Sequence, residues 1–200
     1  MLNLTNKLFR ILIFAILTML AGCQSIVNQG TNNATLVSPP ATMAQAPTMR
    51  CKNLLAEHEV KSIRLNLKEF DQTPTSGWRA LESENCFREG ASLITFYMER
   101  NNVKHTQLSF HAGQLLAIAG DYTESVAMLK KSLLPSSTKS GDFLWNDYVL
   151  GTIAFLERDK AKLALHKDAL FAKQGANVPN YKILQKLFDR FEESYDDILK

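Results

Sequence analysis

Residues 108–122 read Leu108-Ser109-Phe110-His111-Ala112-Gly113-Gln114-Leu115-Leu116-Ala117-Ile118-Ala119-Gly120-Asp121-Tyr122. Leu108, Ala112, Leu115 and Ala119 fall at steps of four, three and four, which puts them on one face of a helix. Gly120 stops that helix. Asp121 is placed to cap the next one, with Glu124 three residues on, as in a capping box. The stretch therefore spells a helix, a tight turn and the start of a second helix.

The signal recurs on both sides. Ala56, Val60, Ile63, Leu67 and Phe70 form a stripe that predicts one helix, broken by Pro74 and Gly77. Phe87, Ala91, Ile94 and Met98 predict another. Helices are also predicted over about residues 142–157 and 160–173, and after Pro179 a last one carries Leu184, Leu187, Phe188, Phe191 and Ile198. No run alternates as a strand would, so the fold class is all-α. Aligning Asn85-Cys86-Phe87, Gly120-Asp121-Tyr122 and Arg158-Asp159-Lys160 gives spacings of 35 and 38 residues, close to the roughly 34 of a tetratricopeptide repeat.

On these residues the chain resembles the tetratricopeptide family over about residues 75–175. Gly113 and Gly151 stand seven residues before their turns, where that family places a small residue so that two helices cross closely. Tyr122 matches the aromatic that opens the second helix, and Leu129 and Ile94 match its later apolar position. Ser109 and Asp147 depart from the usual aromatic, Leu163 from the usual alanine, and the proline after the second helix is missing or displaced to Pro135. The resemblance implies a tetratricopeptide-like stack of about three helical hairpins with a C-terminal capping helix; the alternative is a non-repetitive bundle. Gly77 to Glu82 and Trp145 to Val149 also look like segments of bacterial repeat proteins, a likeness that brings no function.

In the family the ligand-facing side of each first helix lies at positions that fall here on Gln107, Phe110, Gln114 and Ala117, then Trp145, Tyr148, Thr152 and Phe155. The resemblance thus implies a groove for a protein or peptide, in which aromatic side chains offer contact area at little entropic cost. The alternative is that the first or the C-terminal helix packs over these side chains, because apolar surface tends to be covered.

The N-terminus carries an address. Lys7 and Arg10 precede an apolar run, Ile11 to Leu20, and the segment closes on Leu20-Ala21-Gly22-Cys23. About ten apolar residues are too few to cross a bilayer, which takes roughly 20, so residues 1–22 read as a signal peptide. Small residues before a cysteine resemble the lipobox of bacterial lipoproteins. That resemblance implies Cys23 acylated by fatty acids such as palmitate, and Gln24 in place of Asp implies an outer-membrane protein facing the periplasm. Residues 23–50 then form the lipidated linker. From Gln24 to Arg50 the only charge is Arg50, and Pro39-Pro40 and Pro47 interrupt a stretch without period, which predicts a disordered tether. It would span roughly 25–30 Å as a flexible coil. The helical domain is assigned to residues 51–200.

The precursor has 23 basic and 20 acidic residues. Residues 1–22 hold two of the basic ones and no acidic one, so the mature chain is near neutral. Such a balance excludes the electrostatic footprint of a nucleic-acid binder. Three cysteines less Cys23 leave Cys51 and Cys86, an even pair that predicts a disulfide in an oxidising compartment; two unpaired buried thiols are the alternative. A loop of about 36 residues closed in this way stabilises by roughly 3–4 kcal/mol in the chain-entropy account.

Motifs for chemistry are few. His58, His105, His111 and His166 show no metal-ligand spacing, and no phosphate loop, nucleophile elbow or His-Glu-x-x-His occurs. No catalytic residue, metal or cofactor is therefore assigned. Glu82-Ser83 is similar to the Glu-Ser of lytic transglycosylases, without the family's other motifs. Asp189, Glu192, Glu193, Asp196 and Asp197 read as the solvated face of a capping helix. The sequence thus predicts a non-enzymatic outer-membrane lipoprotein that binds a protein or peptide partner in the cell envelope, as pilotins and peptidoglycan-enzyme adaptors do. The alternatives are a peptidoglycan-cleaving hydrolase using Glu82 and an immunity-type inhibitor of an envelope toxin.

If Cys23 carries the lipid, Cys23→Ala leaves the chain unacylated. Labelling with a fatty-acid analogue checks this, and equal incorporation into wild type and variant contradicts it.

Overall fold

A computed structural model describes residues 48–135 and 144–199. The signal segment, Cys23 and the linker before Thr48 lie outside the described residues. Among those described there are ten helices and no strand. They are α1 (Met49–Ser62), α2 (Leu67–Gln72), α3 (Arg79–Glu82), α4 (Phe87–Arg100), α5 (Thr106–Ile118), α6 (Tyr122–Lys131), α7 (Trp145–Leu156), α8 (Lys160–Gln174), α9 (Pro179–Asp189) and α10 (Tyr195–Leu199).

Helix α1 starts two residues before the assigned domain boundary, because the Thr48 side chain accepts from the Cys51 amide and caps it. The single helix predicted over Ala56 to Phe70 is in fact two. Asn66 and Glu69 form a reciprocal capping box, with both bonds present, and this restarts the chain as α2. Of the predicted stripe only Phe70 is core; Val60 is 72% exposed and Ile63 43%. The buried side of α1 is set elsewhere, by Cys51, Ser62 and the half-buried Leu54 and Leu55. Cys51 is joined to Cys86, with the Cα atoms 5.4 Å apart. The bridge fastens the first turn of α1 to the N-cap of α4 and so selects the face that α1 turns inward.

The three aligned turns share one geometry. Asn85, Gly120 and Arg158 all have positive φ, at 57°, 82° and 59°. The next amide in each case reaches five residues back: Cys86 to Leu81, Asp121 to Leu116 and Asp159 to Ala154, at 2.9, 2.9 and 2.8 Å. This is the Schellman arrangement, which satisfies carbonyls at a helix end. The capping box expected at Asp121 is absent: its carboxylate makes no cap and instead accepts from Arg88 Nη2 at 2.8 Å and from Arg88 Nε at 2.5 Å. A bidentate arginine pair outcompetes a neutral amide for the same oxygens.

Helix α5 packs on both α4 and α6, and α7 packs on α8 and α9. One apolar cluster gathers Phe70, Trp78, Leu81, Leu93, Ile94, Leu108, Ala112 and Leu115; the other gathers Phe110, Leu129, Val149, Phe155, Leu163, Leu184, Leu187 and Tyr195. Gly113 is needed for the α5–α6 approach, since a Cβ there would sit 2.7 Å from Leu129 Cγ. Ser125 Oγ also donates to the Gly113 carbonyl at 2.7 Å. Gly151 serves a different neighbour from the one the repeat alignment implies: its Cβ would meet Leu184 of α9 at 2.5 Å, not α8. The single C-terminal helix expected after Pro179 is likewise split, into α9 and α10.

Gly77 combines a φ of 53° with a would-be Cβ 2.1 Å from the Phe70 carbonyl oxygen, whereas Gly175, at φ 75°, faces open space. Gly77→Ala therefore costs about 3 kcal/mol or more through strain and clash together, and Gly175→Ala about 1 kcal/mol. Urea denaturation of the two variants checks the difference.

Candidate functional site

The face of α5 and α7 predicted to be a groove is closed. Gln107 is exposed, Gln114 and Trp145 are half-buried, and Phe110, Ala117, Tyr148, Thr152 and Phe155 are 0–4% exposed. Phe110 packs against Trp145 and Tyr148, with ring centroids 5.0 and 5.2 Å apart. Phe155 packs edge-on to Phe191 at 5.7 Å and tilted against Tyr195 at 6.1 Å. Thr152 Oγ1 turns back to the Tyr148 carbonyl at 2.9 Å, and Trp145 Nε1 donates to the Ser132 carbonyl at 2.7 Å.

What fills the face is the C-terminal segment. Tyr195 and Ile198 are fully buried, α10 lies against α5, and the Tyr195 amide donates to Tyr122 Oη at 3.0 Å. Gln114 lies beside the Tyr195 hydroxyl without good hydrogen-bond geometry, and burial, only partly offset by Gln114, pushes that hydroxyl up to about 12. Burial also raises Tyr148 well above the usual phenol range. The predicted groove residues other than Gln107 are thus packed or half-packed positions. The reason is physical: each large apolar side chain removed from water contributes about 1.5–3 kcal/mol, and a chain with a spare apolar segment covers its own aromatic face.

A second polar cluster joins residues distant in sequence. Asp71, 2% exposed, accepts from Trp78 Nε1 at 3.0 Å and faces His111 Nδ1 at 2.8 Å. Arg79 lies over the Trp78 ring at 4.2 Å and donates Nε to the Asp71 carbonyl at 2.6 Å. Burial opposes ionisation of Asp71, but the bonds from His111 and Trp78 outweigh it and hold the carboxyl below its ordinary value. Among the other histidines, His166 faces Asp147 at 2.9 Å, and His105 caps α5 by accepting from the Leu108 amide. Glu82 is partly exposed and pairs with Arg79 at 3.5 Å; the Ser83 hydroxyl donates to the Ala80 carbonyl. A cavity of about 360 Å³ beside them is lined by Gln72, Pro74, Arg79, Glu82 and Ser83.

Two further concavities lie along α6. A cleft of about 480 Å³ between α4 and α6 has Ala91, Phe96, Leu116 and Met128 as its apolar lining and Glu99 and Glu124 at its edges. A second, of about 490 Å³, runs past Ala127 to Tyr122, Val126 and Leu156. Both are lined in part by Ala127, which is exposed. The sequence offers one signal for this: small residues, Thr123 and Ala127, recur on the outer face of an otherwise amphipathic helix.

No family model, curated protein or solved structure matches the chain.

Tyr148→Ala and Phe155→Ala each cost about 3–5 kcal/mol, whereas Gln107→Ala stays within about 0.5 kcal/mol; thermal melts check both. Because the folded carboxyl of Asp71 titrates below its unfolded value, its contribution is complete above about pH 4 and is lost as pH falls through the folded value. Asp71→Asn is therefore less stable than wild type at neutral pH, and the gap narrows as the solution is acidified.

Proposed function

We propose that the chain is a bacterial envelope lipoprotein, held at the outer membrane through an acylated Cys23, whose periplasmic helical domain binds a segment of a protein partner. The membrane assignment rests on Leu-Ala-Gly-Cys after a short apolar run. The tetratricopeptide-like assignment is supported by the turns at Asn85, Gly120 and Arg158, which share spacing, positive φ and the same hydrogen bond five residues back. No helix among the described residues is long and apolar enough to cross a membrane.

The observation that carries the binding reading is the cleft along α6. Its apolar lining beside Glu99 and Glu124 suits a peptide segment that presents apolar side chains flanked by lysine or arginine. The aromatic face of α5 and α7 is already occupied by this chain's own C-terminus, so the partner docks on the second helices of the hairpins. This moves the predicted adaptor function to a different surface.

The test uses a photo-crosslinking side chain at Ala127, and separately at Gln107, in cells carrying the anchored protein. Adducts are expected from position 127, competed by an apolar, lysine-flanked peptide and lost in Phe96→Glu, with melting temperature retained. Adducts from position 107 alone would overturn the assignment.

A further inference from the structure

Cys86 is the N-cap of α4 and Glu89 stands in its first turn, at the third helical position. A glutamate there ordinarily reaches back to the N-cap amide. That amide is already donated to the Leu81 carbonyl, as the turn at Asn85 requires, so the carboxylate has no local partner to take. Glu89 is 6% exposed, and its Oε1 has no hydrogen-bond partner among the described residues. A buried polar atom left bare in this way calls for a ligand or an ion. Two sulfurs lie beside this carboxylate: Cys51 Sγ, Cys86 Sγ and a Glu89 carboxylate oxygen lie within 4.8 Å of one another.

We propose that, when the Cys51–Cys86 bridge is reduced, Cys51, Cys86 and Glu89 form a three-ligand site for a zinc ion. The three donors are the set such an ion takes, two thiolate sulfurs and a carboxylate oxygen, with the fourth tetrahedral position left to water. Zn–S of about 2.3 Å and Zn–O of about 2.0–2.2 Å place tetrahedral donor atoms roughly 3.5–3.8 Å apart; the carboxylate oxygen lies within 4.8 Å of both sulfurs, and the sulfurs, bonded to each other in the bridge, move apart to that spacing once it is reduced.

A dithiol reductant transfers two electrons to the disulfide and closes to a disulfide itself. The S–S bond of Cys51–Cys86 breaks, and the two sulfurs take up two protons. Zinc then displaces both thiol protons and gains two sulfur ligands and one oxygen ligand. In the oxidised state the sulfurs are tied to each other and cannot bind. The bridge and the metal are thus alternative ways of fastening α1 to the start of α4, selected by the redox state around the protein.

The experiment uses the full chain carrying Cys23→Ser, which leaves only these two sulfurs. After reduction with a phosphine, the protein is titrated with Co²⁺ and then Zn²⁺. One equivalent of Co²⁺ is expected to give thiolate-to-cobalt charge-transfer absorption, which Zn²⁺ removes by displacement, while the oxidised protein gives none. Glu89→Gln is expected to raise the cobalt Kd at least tenfold, and Cys86→Ser to abolish the band. Circular dichroism shows whether the variants remain helical. X-ray absorption at the zinc edge of the reduced protein, which needs no change at Glu89, should count two sulfur ligands and oxygen neighbours. Absence of the band in reduced protein, a zinc edge without sulfur, or an unchanged Kd in folded Glu89→Gln would each overturn the proposal.

Discussion

Helix α5 is apolar nearly all round, and the rest of the domain is arranged to bury it. Leu108, Ala112 and Leu115 belong to the cluster shared with α3 and α4, whereas Phe110 and Ala117 belong to the one shared with α7 and the C-terminus. A helix with two apolar sides cannot sit at a surface. It must have neighbours on both, and α4, α6 and α10 supply them. The approach of α6 depends on one missing atom, the Cβ of Gly113, in whose place Leu129 packs. The Ser125 hydroxyl then satisfies the Gly113 carbonyl, so the tight crossing leaves no buried acceptor bare.

The turns that end the hairpins are tied to one another by polar contacts of long sequence range. Arg50 pairs with Glu84 beside the first turn, Arg88 grips Asp121 of the second, and Arg158 of the third donates to the Phe191 and Glu193 carbonyls. Exposed pairs such as Arg50–Glu84 contribute little to stability, on the order of 0–1 kcal/mol. Arg88–Asp121 is more enclosed and bidentate, which fixes geometry as well as energy. Such contacts set the order in which hairpin ends lie side by side, while the apolar clusters supply most of the stabilisation.

The proposed function rests on which apolar surface is left over. The C-terminal segment packs on the aromatic face of α5 and α7. The clefts along α6 remain, with carboxylates at their edges. At the other end, the bridge between Cys51 and Cys86 brings two sulfurs to the buried carboxylate of Glu89. The same turn that consumes the Cys86 amide leaves Glu89 Oε1 without a hydrogen-bond partner among the described residues. Local geometry that serves folding thus creates a group whose best partner is a cation.

The sequence by itself determined the all-helical class, the positions of the three aligned turns and the expected pairing of Cys51 with Cys86. Helical period, turn spacing and the even count of remaining cysteines are local or arithmetic facts; the positive φ at Asn85, Gly120 and Arg158, and the splitting of two predicted helices, are not. Two stripes misled for one reason. Ala56, Val60 and Ile63 have helical spacing, yet the disulfide at Cys51 turns another side of α1 inward; Phe110, Tyr148 and Phe155 have the spacing of a binding face, yet Phe110 and Tyr148 pack on each other and Phe155 packs on Tyr195 of α10. The Asp71–Trp78–His111 cluster left no trace in the sequence, because its members come from three segments with no shared period. Periodicity reports that a face is apolar. Only the tertiary structure decides what covers it, because that depends on contacts between residues tens of positions apart, to which spacing along the chain is blind.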